Sequence, residues 1–223
     1  MFQRDYILRL VEQLAKTLGS VVALKKAKRY DEAERGVAEA AKNLVGLDVA
    51  TLLALPVEHI VTLLSPGSSL DAGTCIVVAE LLYEHGELKE LQGEDGTAYD
   101  TRVRALCLLL EVSGRESLER IPDSERYLRR IEALVDTLSA YPPVPAVQEK
   151  LIFHHERQGD FSAAEDVLFE LVDAGDENII APGIELYERL LAKDDDALNR
   201  GRLPRDEVED GLAQLRARLA RMV

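Results

Sequence analysis

The chain has 223 residues and, with 27 Lys or Arg against 41 Asp or Glu, a formal net charge of −14. Hydrophobic residues make up 47% of the sequence, which supports a folded core and excludes a disordered chain. No apolar run approaches the roughly 18 residues that a membrane-spanning helix needs, and an acidic body repels nucleic-acid phosphates, so neither a membrane nor a nucleic acid is an expected partner.

The N-terminal part of the chain is predicted to form four helices. Leu (36) and Ala (25) far outnumber Gly (14) and Pro (8), which favours helices over strands throughout. A first amphipathic helix resumes after Gly19, a second begins near Tyr30, and residues 47–64 form two short helices, the first of them capped by Asp48. The apolar stripe of the first helix consists of Tyr6, Ile7, Leu10, Val11, Leu14 and Leu18.

The middle of the chain is predicted to contain three longer helices. Asp71 opens the first, a turn over residues 93–96 leads into the second, and Pro122-Asp123 precedes the third. The first two of these carry Cys75 and Cys107 in apolar stretches. Neither cysteine has a Cys or His at metal-ligand spacing, which predicts buried free thiols. Together with an N-terminus that lacks a signal-peptide core, the free thiols predict a cytoplasmic protein.

A proline-rich connector divides the chain. Pro142, Pro143 and Pro145 cannot lie inside a helix, so they predict a stiff, extended segment. We therefore predict an N-terminal helical region over residues 1–141 and a C-terminal helical region over residues 142–223 that packs on the first and continues the same stack.

The C-terminal region contains the clearest helix pair of the sequence. The turn Gln158-Gly159-Asp160 joins its two members. Residues 177–192 are predicted to form a further helix, Asp194-Asp195-Asp196 a polar loop, and Pro204 the start of the last helix. Apolar residues of that helix recur at spacings of four and three, at Val208, Leu212, Leu215, Leu219 and Met222.

Three turns in the sequence share one pattern, in which an aromatic or polar residue follows the turn and Ala follows three positions later. A small Ala lets two helix axes approach to about 8–10 Å, and an aromatic side chain fills the gap beside it. The pattern therefore predicts helical hairpins. Its residues are Tyr30 and Ala33 in the first turn, Gly93 and Ala98 in the second, and Gly159, Phe161 and Ala164 in the third.

These turns resemble the Gly-Asp-Tyr-x-x-Ala turn of tetratricopeptide repeats. The third turn matches best, and the second departs from the pattern because Asp95 replaces the aromatic residue. The terminal Pro of the repeat is missing as well, with Val45 and Asp176 at its two positions. The turns are 65 and 66 residues apart, near twice the usual period of about 34, so either the intervening repeats have diverged or other helices interleave with the hairpins.

The chain also resembles an uncharacterised bacterial helical-repeat family that begins Met-Phe-x-x-Asp-Tyr-Ile, a resemblance that implies no activity. Together, the composition and the two resemblances lead us to expect an all-α fold. It would be a right-handed stack of about eight to ten antiparallel helices that is tetratricopeptide-like at least in part, with degenerate repeats in the N-terminal region.

No cluster in the sequence fits a catalytic or metal site. His154 and His155 are adjacent and point about 100° apart on a helix, so they cannot chelate one ion, and His155 is predicted to face inward. His85 is predicted to be a core histidine, and Asp194-Asp195-Asp196 lacks the ligand pattern of a calcium loop. We therefore expect no catalytic residue, no metal and no cofactor.

Three functions remain open. The favoured one is a non-catalytic scaffold whose concave face holds a protein or peptide partner. The second is a self-assembling structural or regulatory protein, in which Phe2, Tyr6 and Leu10 dock between copies. There the N-terminal residues 1–46, with a net charge of +3, meet the remaining body, with a net charge of −17. The third is an enzyme with an unrecognised site around His85 or His155.

Overall fold

A computed structural model of the protein describes residues 2–65, 67, 69–115, 121 and 123–222, without the side chains of residues 2–5 and 115. Every regular element in these residues is helical, so the prediction of an all-α fold is confirmed. The described residues form twelve α-helices, somewhat more than the eight to ten expected. None of these helices combines the length and the apolar character that crossing a bilayer requires.

The chain divides into two compact units, Met1–Pro142 (unit 1) and Pro143–Val223 (unit 2). The described helices of unit 1 are α1 (Phe2–Lys26), α2 (Tyr30–Val45), α3 (Val49–Ala54), α4 (Val57–Leu63), α5 (Ala72–Leu91), α6 (Asp95–Arg115) and α7 (Ser124–Leu138). Those of unit 2 are α8 (Pro145–Gln158), α9 (Phe161–Asp173), α10 (Ile180–Leu191), α11 (Asp195–Arg200) and α12 (Arg205–Met222).

Helix α5 is the centre of unit 1. Its first half is buried on every side because α1, α2 and α6 all pack around it. Asp71 caps this helix by accepting a hydrogen bond from the backbone N–H of Thr74 at 3.0 Å. Both cysteines of unit 1 are buried, Cys75 on α5 and Cys107 on α6, and neither forms a disulfide. The prediction that both thiols are buried and outside a disulfide is therefore confirmed.

A buried ionic cluster ties α7 to α5. The side chain of Glu80 is fully buried and accepts hydrogen bonds from Arg126 (2.8 Å) and twice from Arg130 (3.0 and 3.3 Å). The guanidinium of Arg130 also lies 3.5 Å from the ring centroid of Tyr83, a cation–π contact. A carboxylate without solvent is tolerated here because three charge-assisted hydrogen bonds replace its lost hydration.

Two aromatic side chains of unit 2 pack tightly against glycine residues, where no side chain could fit. A Cβ atom at Gly201 would lie 2.7 Å from the carbonyl oxygen of Gly159 and 2.8 Å from Cγ of Phe161. A Cβ atom at Gly211, on α12, would lie 2.8 Å from Cε1 of Tyr187 and closer still to its hydroxyl. Both aromatic residues belong to the hydrophobic core of this unit.

Several element boundaries differ from the predicted ones. Asp194 caps α11 by accepting a hydrogen bond from the N–H of Ala197 at 2.7 Å, so the run predicted to be a polar loop starts a helix instead. Pro145 is the first residue of α8 and not part of an extended connector, because the first turn of a helix needs no N–H from it. The predicted helix over 177–192 begins as a 3-10 turn, Glu177–Ile179, and becomes α-helical at Ile180.

Candidate functional site

The three repeat-like turns share one backbone geometry. Lys28, Gly93 and Gly159 stand at equivalent positions and all have left-handed φ angles, of 57°, 79° and 77°. In each turn the next N–H donates to a carbonyl five residues back, which closes the end of the preceding helix. These bonds join Arg29 to Leu24 (3.0 Å), Glu94 to Lys89 (2.8 Å) and Asp160 to His155 (3.0 Å).

The side chains that follow these turns hold the hairpins together. The three turns join the packed pairs α1 with α2, α5 with α6, and α8 with α9. The first two turns are also linked within unit 1, because Lys89 pairs with Glu34 at 3.0 Å and with Glu94 at 3.1 Å. The alanines are fully buried, Phe161 is buried and Tyr30 is partly buried against the core; the residues are Tyr30, Ala33, Ala98, Phe161 and Ala164.

The N-terminal residues proposed for contact between copies have different environments. Leu10 is only 7% exposed and packs in the core of unit 1, so it is not available to a second copy without unfolding α1. Tyr6 is 47% exposed, and its hydroxyl lies 3.4 Å from the hydroxyl of Thr74. The side chain of Phe2 lies outside the described residues. This correction to Leu10 leaves Tyr6 as the accessible member of the described pair.

The predicted histidines lie in different environments. His154 is buried, whereas the predicted inward residue, His155, is only partly buried, so this expectation was wrong by one position. Burial, together with the neighbouring His155, lowers the pKa of His154 to about 4. Burial also lowers the pKa of His85 on α5. Within the described residues, no three His, Cys, Asp or Glu side chains are grouped closely enough to hold a metal ion.

Acidification is expected to destabilise the fold through His154. In the unfolded chain this imidazole takes up a proton near pH 6.5, whereas in the fold it does so only near pH 4, so its contribution is present above about pH 6.5 and is lost as the pH falls towards 4. Between about pH 7.5 and 5.5 the loss should be about 1 kcal/mol in urea unfolding. The variant His154→Leu should lose that part of the pH dependence, and His59→Gln, on the exposed surface of α4, should keep it. Equal pH dependence in all three proteins would contradict the assignment.

An acidic cleft lies between α9 and α12 in unit 2. It has a volume of about 370 Å³, and its lining includes no Lys or Arg among the described residues. The residues that line it are Glu165, Asp166, Phe169, Glu207, Asp210, Gly211 and Gln214. Four carboxylates therefore face a space to which the described residues contribute no compensating cation.

Helical spacing explains why these residues share the cleft. On α9, Glu165 and Phe169 are four residues apart and occupy the face next to the buried stripe. On α12, Glu207, Asp210 and Gln214 follow one another at intervals of three and four. The two helices thus present one row of side chains each, and the cleft runs between the rows.

The floor of the cleft is fixed by a hydrogen bond. The buried hydroxyl of Tyr187, on α10, donates to the carboxylate of Glu165 at 2.5 Å, and the absence of a side chain at Gly211 makes room for its ring. The pKa of Glu165 is raised overall, mainly because the carboxylate is buried. The hydrogen bond from Tyr187 lowers this pKa, whereas the neighbouring carboxylates of Glu207 and Asp166 raise it further. This repulsion among like charges is relieved when a cation enters the cleft.

The other carboxylates of the cleft are exposed and without ion pairs. Asp166, Glu207 and Asp210 form no salt bridge with any described residue. They are spread along two helices and do not converge on one point, so they suit an extended cationic group better than a single ion. The half-buried ring of Phe169 adds a surface on which a Lys or Arg stem can lie.

The cleft was not predicted from the sequence. With 41 acidic residues in the chain, a pair of carboxylates at helical spacing carries almost no information by itself. A usable signal is the combination of acidic rows on α9 and α12 with Gly211 in the middle of an otherwise regular helix.

The fold and the cleft together define an all-α protein whose C-terminal unit carries an acidic groove. The chain belongs to the family of unknown function DUF6483, whose match covers residues 1–220. The expected membership of an uncharacterised helical family is thus confirmed at the level of the family. No curated protein and no solved structure matches the chain.

Proposed function

We propose that the protein is a non-catalytic interaction module that binds a basic segment of a partner protein in the acidic cleft between α9 and α12. The observation that carries this proposal is the set of four carboxylates around a space of about 370 Å³ with no cationic side chain in its lining, as far as the described residues go. A Lys or Arg of the partner would pair with a carboxylate and lay its methylene groups over Phe169.

The shape of the cleft favours a helical or extended segment as the occupant. From Glu207 to Gln214 the polar row, with its carboxylates at Glu207 and Asp210, extends over seven residue steps of α12, roughly 10 Å along the helix axis. That length accommodates about two turns of a helix with cationic residues at spacings of three and four, which is the helix-in-groove type of recognition. Association should be fast and salt-sensitive, because rim charges mainly steer the encounter.

We also propose that the helical architecture is tetratricopeptide-like and that the protein is cytoplasmic. Support for the repeat comes from the common left-handed turn geometry at Lys28, Gly93 and Gly159, each followed by a buried Ala. The same bonding recurs at two turns without the sequence pattern, where Gly175 and Arg202 have φ angles of 87° and 60°. Support for the cytoplasm comes from two buried cysteines that form no disulfide.

A charge reversal in the cleft is expected to weaken binding of a basic peptide. The probe is a fluorescein-labelled amphipathic peptide of Lys, Arg and Leu, and its binding is followed by fluorescence anisotropy. The double variant Glu207→Lys/Asp210→Lys should raise the dissociation constant roughly tenfold or more, because both residues are exposed and their carboxylates face the cleft. Binding of the unchanged protein should weaken as salt is added.

The matched control is Glu149→Lys/Asp196→Lys. These residues are exposed on α8 and α11 of the same unit and lie outside the cleft lining, so the variant changes the net charge equally. It should bind the peptide with an affinity close to that of the unchanged protein. An equal loss in both double variants would mean that net charge alone attracts the peptide, and the proposed site would be wrong. Binding of a peptide with Glu in place of every Lys and Arg would also contradict the proposal.

A further inference from the structure

The last two turns of α12 carry an apolar stripe that leaves the core. Val208 and Leu215, upstream on the same stripe, are fully buried. Leu219 and Met222 continue it at the same spacing but are 38% and 43% exposed. Folded proteins commonly show single exposed apolar side chains, but two at the end of one core stripe form a continuous surface.

A second cleft opens beside this stripe. Its volume is about 440 Å³, and the buried side chains of Val172 and Ile180 contribute to its apolar part. Met222 also lines it, so the exposed end of the stripe and the cleft form one surface. We call this surface the α12 end surface and define it by Val172, Ile180, Leu219, Met222 and the charged residues of the cleft, Asp176, Glu177, Arg218 and Arg221.

The α12 end surface carries an unpaired charge of each sign. Arg221 donates only to the carbonyl oxygen of Ala217 in its own helix, at 3.1 Å, and has no acidic partner among the described residues. Glu177, in the 3-10 turn, is exposed and forms no ion pair with the described part of the chain. Arg218, in contrast, is already paired with Asp173 at 3.1 Å.

We propose that the α12 end surface binds the same surface of a second copy of the chain across a twofold axis. In such an interface each patch meets itself, so it must be self-complementary. Among the described residues, the rim of its apolar centre holds one cation, Arg221, and two carboxylates, Asp176 and Glu177, that form no ion pair. It meets this condition because Arg221 of either copy can face Glu177 of the other. The acidic cleft between α9 and α12 does not meet it, because two copies of that cleft would repel each other.

This pairing goes beyond the proposed binding of a basic segment, and its surface is distinct from the cleft that would hold that segment. It also differs from self-assembly through α1, in which Leu10 would have to leave the core. The dimer contact in this proposal needs no rearrangement, because Leu219, Met222, Glu177 and Arg221 are already accessible.

Charge exchange between two variants tests the proposal. Sedimentation velocity of the full chain, from micromolar to submillimolar concentration, should show a monomer–dimer equilibrium. Glu177→Arg and Arg221→Glu should each raise the dimer dissociation constant roughly tenfold, because each places like charges opposite one another. An equimolar mixture of the two variants should restore dimers. In the mixed dimer the two introduced side chains, of opposite charge, face each other at one contact, and the unchanged Arg221 and Glu177 face each other at the second.

Apolar variants provide a second measurement. Met222→Asp should also weaken the dimer roughly tenfold, whereas Leu91→Asp, at an exposed position of α5 in unit 1, should leave it unchanged. Circular dichroism of each variant checks that the helices persist. A chain that stays monomeric throughout, a dimer that ignores Met222→Asp, or a mixture that fails to restore dimers would each overturn the proposal.

Discussion

Replacing Gly201 by Ala is expected to destabilise unit 2 by about 2–3 kcal/mol. The new methyl group would lie 2.7 Å from the carbonyl oxygen of Gly159, a backbone atom, and against the ring of Phe161. The ring cannot move aside because it is buried in the core. The backbone cannot move aside either, because the N–H of Ser162 donates to the carbonyl oxygen of Gly201 at 3.0 Å and fixes the distance between the two turns.

Thermal and urea unfolding measure this effect. For a unit of this size, a loss of 2–3 kcal/mol corresponds to a fall in midpoint temperature of roughly 10 °C or more. The matched control is Gly19→Ala in the interior of α1, where the added methyl group would meet no atom within 4 Å other than its chain neighbours and the adjoining backbone of its own helix. That variant should gain about 0.5–1 kcal/mol, since Ala favours helix over Gly. A Gly201→Ala protein as stable as the parent would contradict the close packing described for Phe161.

Removing Arg130, one of two arginines that contact the buried Glu80, is expected to cost unit 1 about 3 kcal/mol. Arg130→Met takes away two of the three hydrogen bonds to that carboxylate and also the cation–π contact with Tyr83. Arg126 alone then faces a carboxylate without any solvent exposure. The loss arises mainly because the buried negative charge is then only partly compensated, and less from the missing contact itself.

A double variant separates these two causes. Glu80→Met/Arg130→Met removes the buried charge together with its partner, and it should recover more than half of the loss seen in Arg130→Met. The remaining guanidinium, Arg126, is about one-third exposed and can turn towards water. The single variant Glu80→Met completes the comparison, with urea unfolding as the measurement. If the loss of stability in the double variant equals the sum of the losses in Glu80→Met and Arg130→Met, the cluster does not act as a coupled unit.

The helices that the sequence predicts well are those with a clear stripe or a capping residue. Asp48 and Asp71 cap their helices as expected, because an Asp before an apolar run has one dominant structural use. Asp194 follows the same rule, but the three consecutive acids around it resemble a solvated loop and hide the cap. His154 and His155 both fall within three or four residues of Leu151, so only the rotation of α8 against α9 decides which of them is buried.

The candidate site depends on contacts that the sequence does not encode locally. Glu165 and Gly211 lie 46 positions apart, and they meet because Tyr187 packs between them from a third helix. The burial of Leu10 could not be predicted from the sequence for the same reason. Its apolar character alone does not say whether the chain's own core or another molecule covers it. The turns at Gly175 and Arg202 could not be predicted from the repeat pattern, because their backbone geometry recurs without the aromatic residue and the Ala.

The reactivity of the two cysteines can be used to measure local opening of the fold. Cys75 and Cys107 lie inside α5 and α6, and unit 2 contains no cysteine at all. A thiol reagent such as an aromatic disulfide should therefore react only when unit 1 opens, so its rate under native conditions measures the opening equilibrium of that unit without an introduced label. Arg130→Met should accelerate this modification directly, whereas Gly201→Ala acts in the unit that carries no thiol.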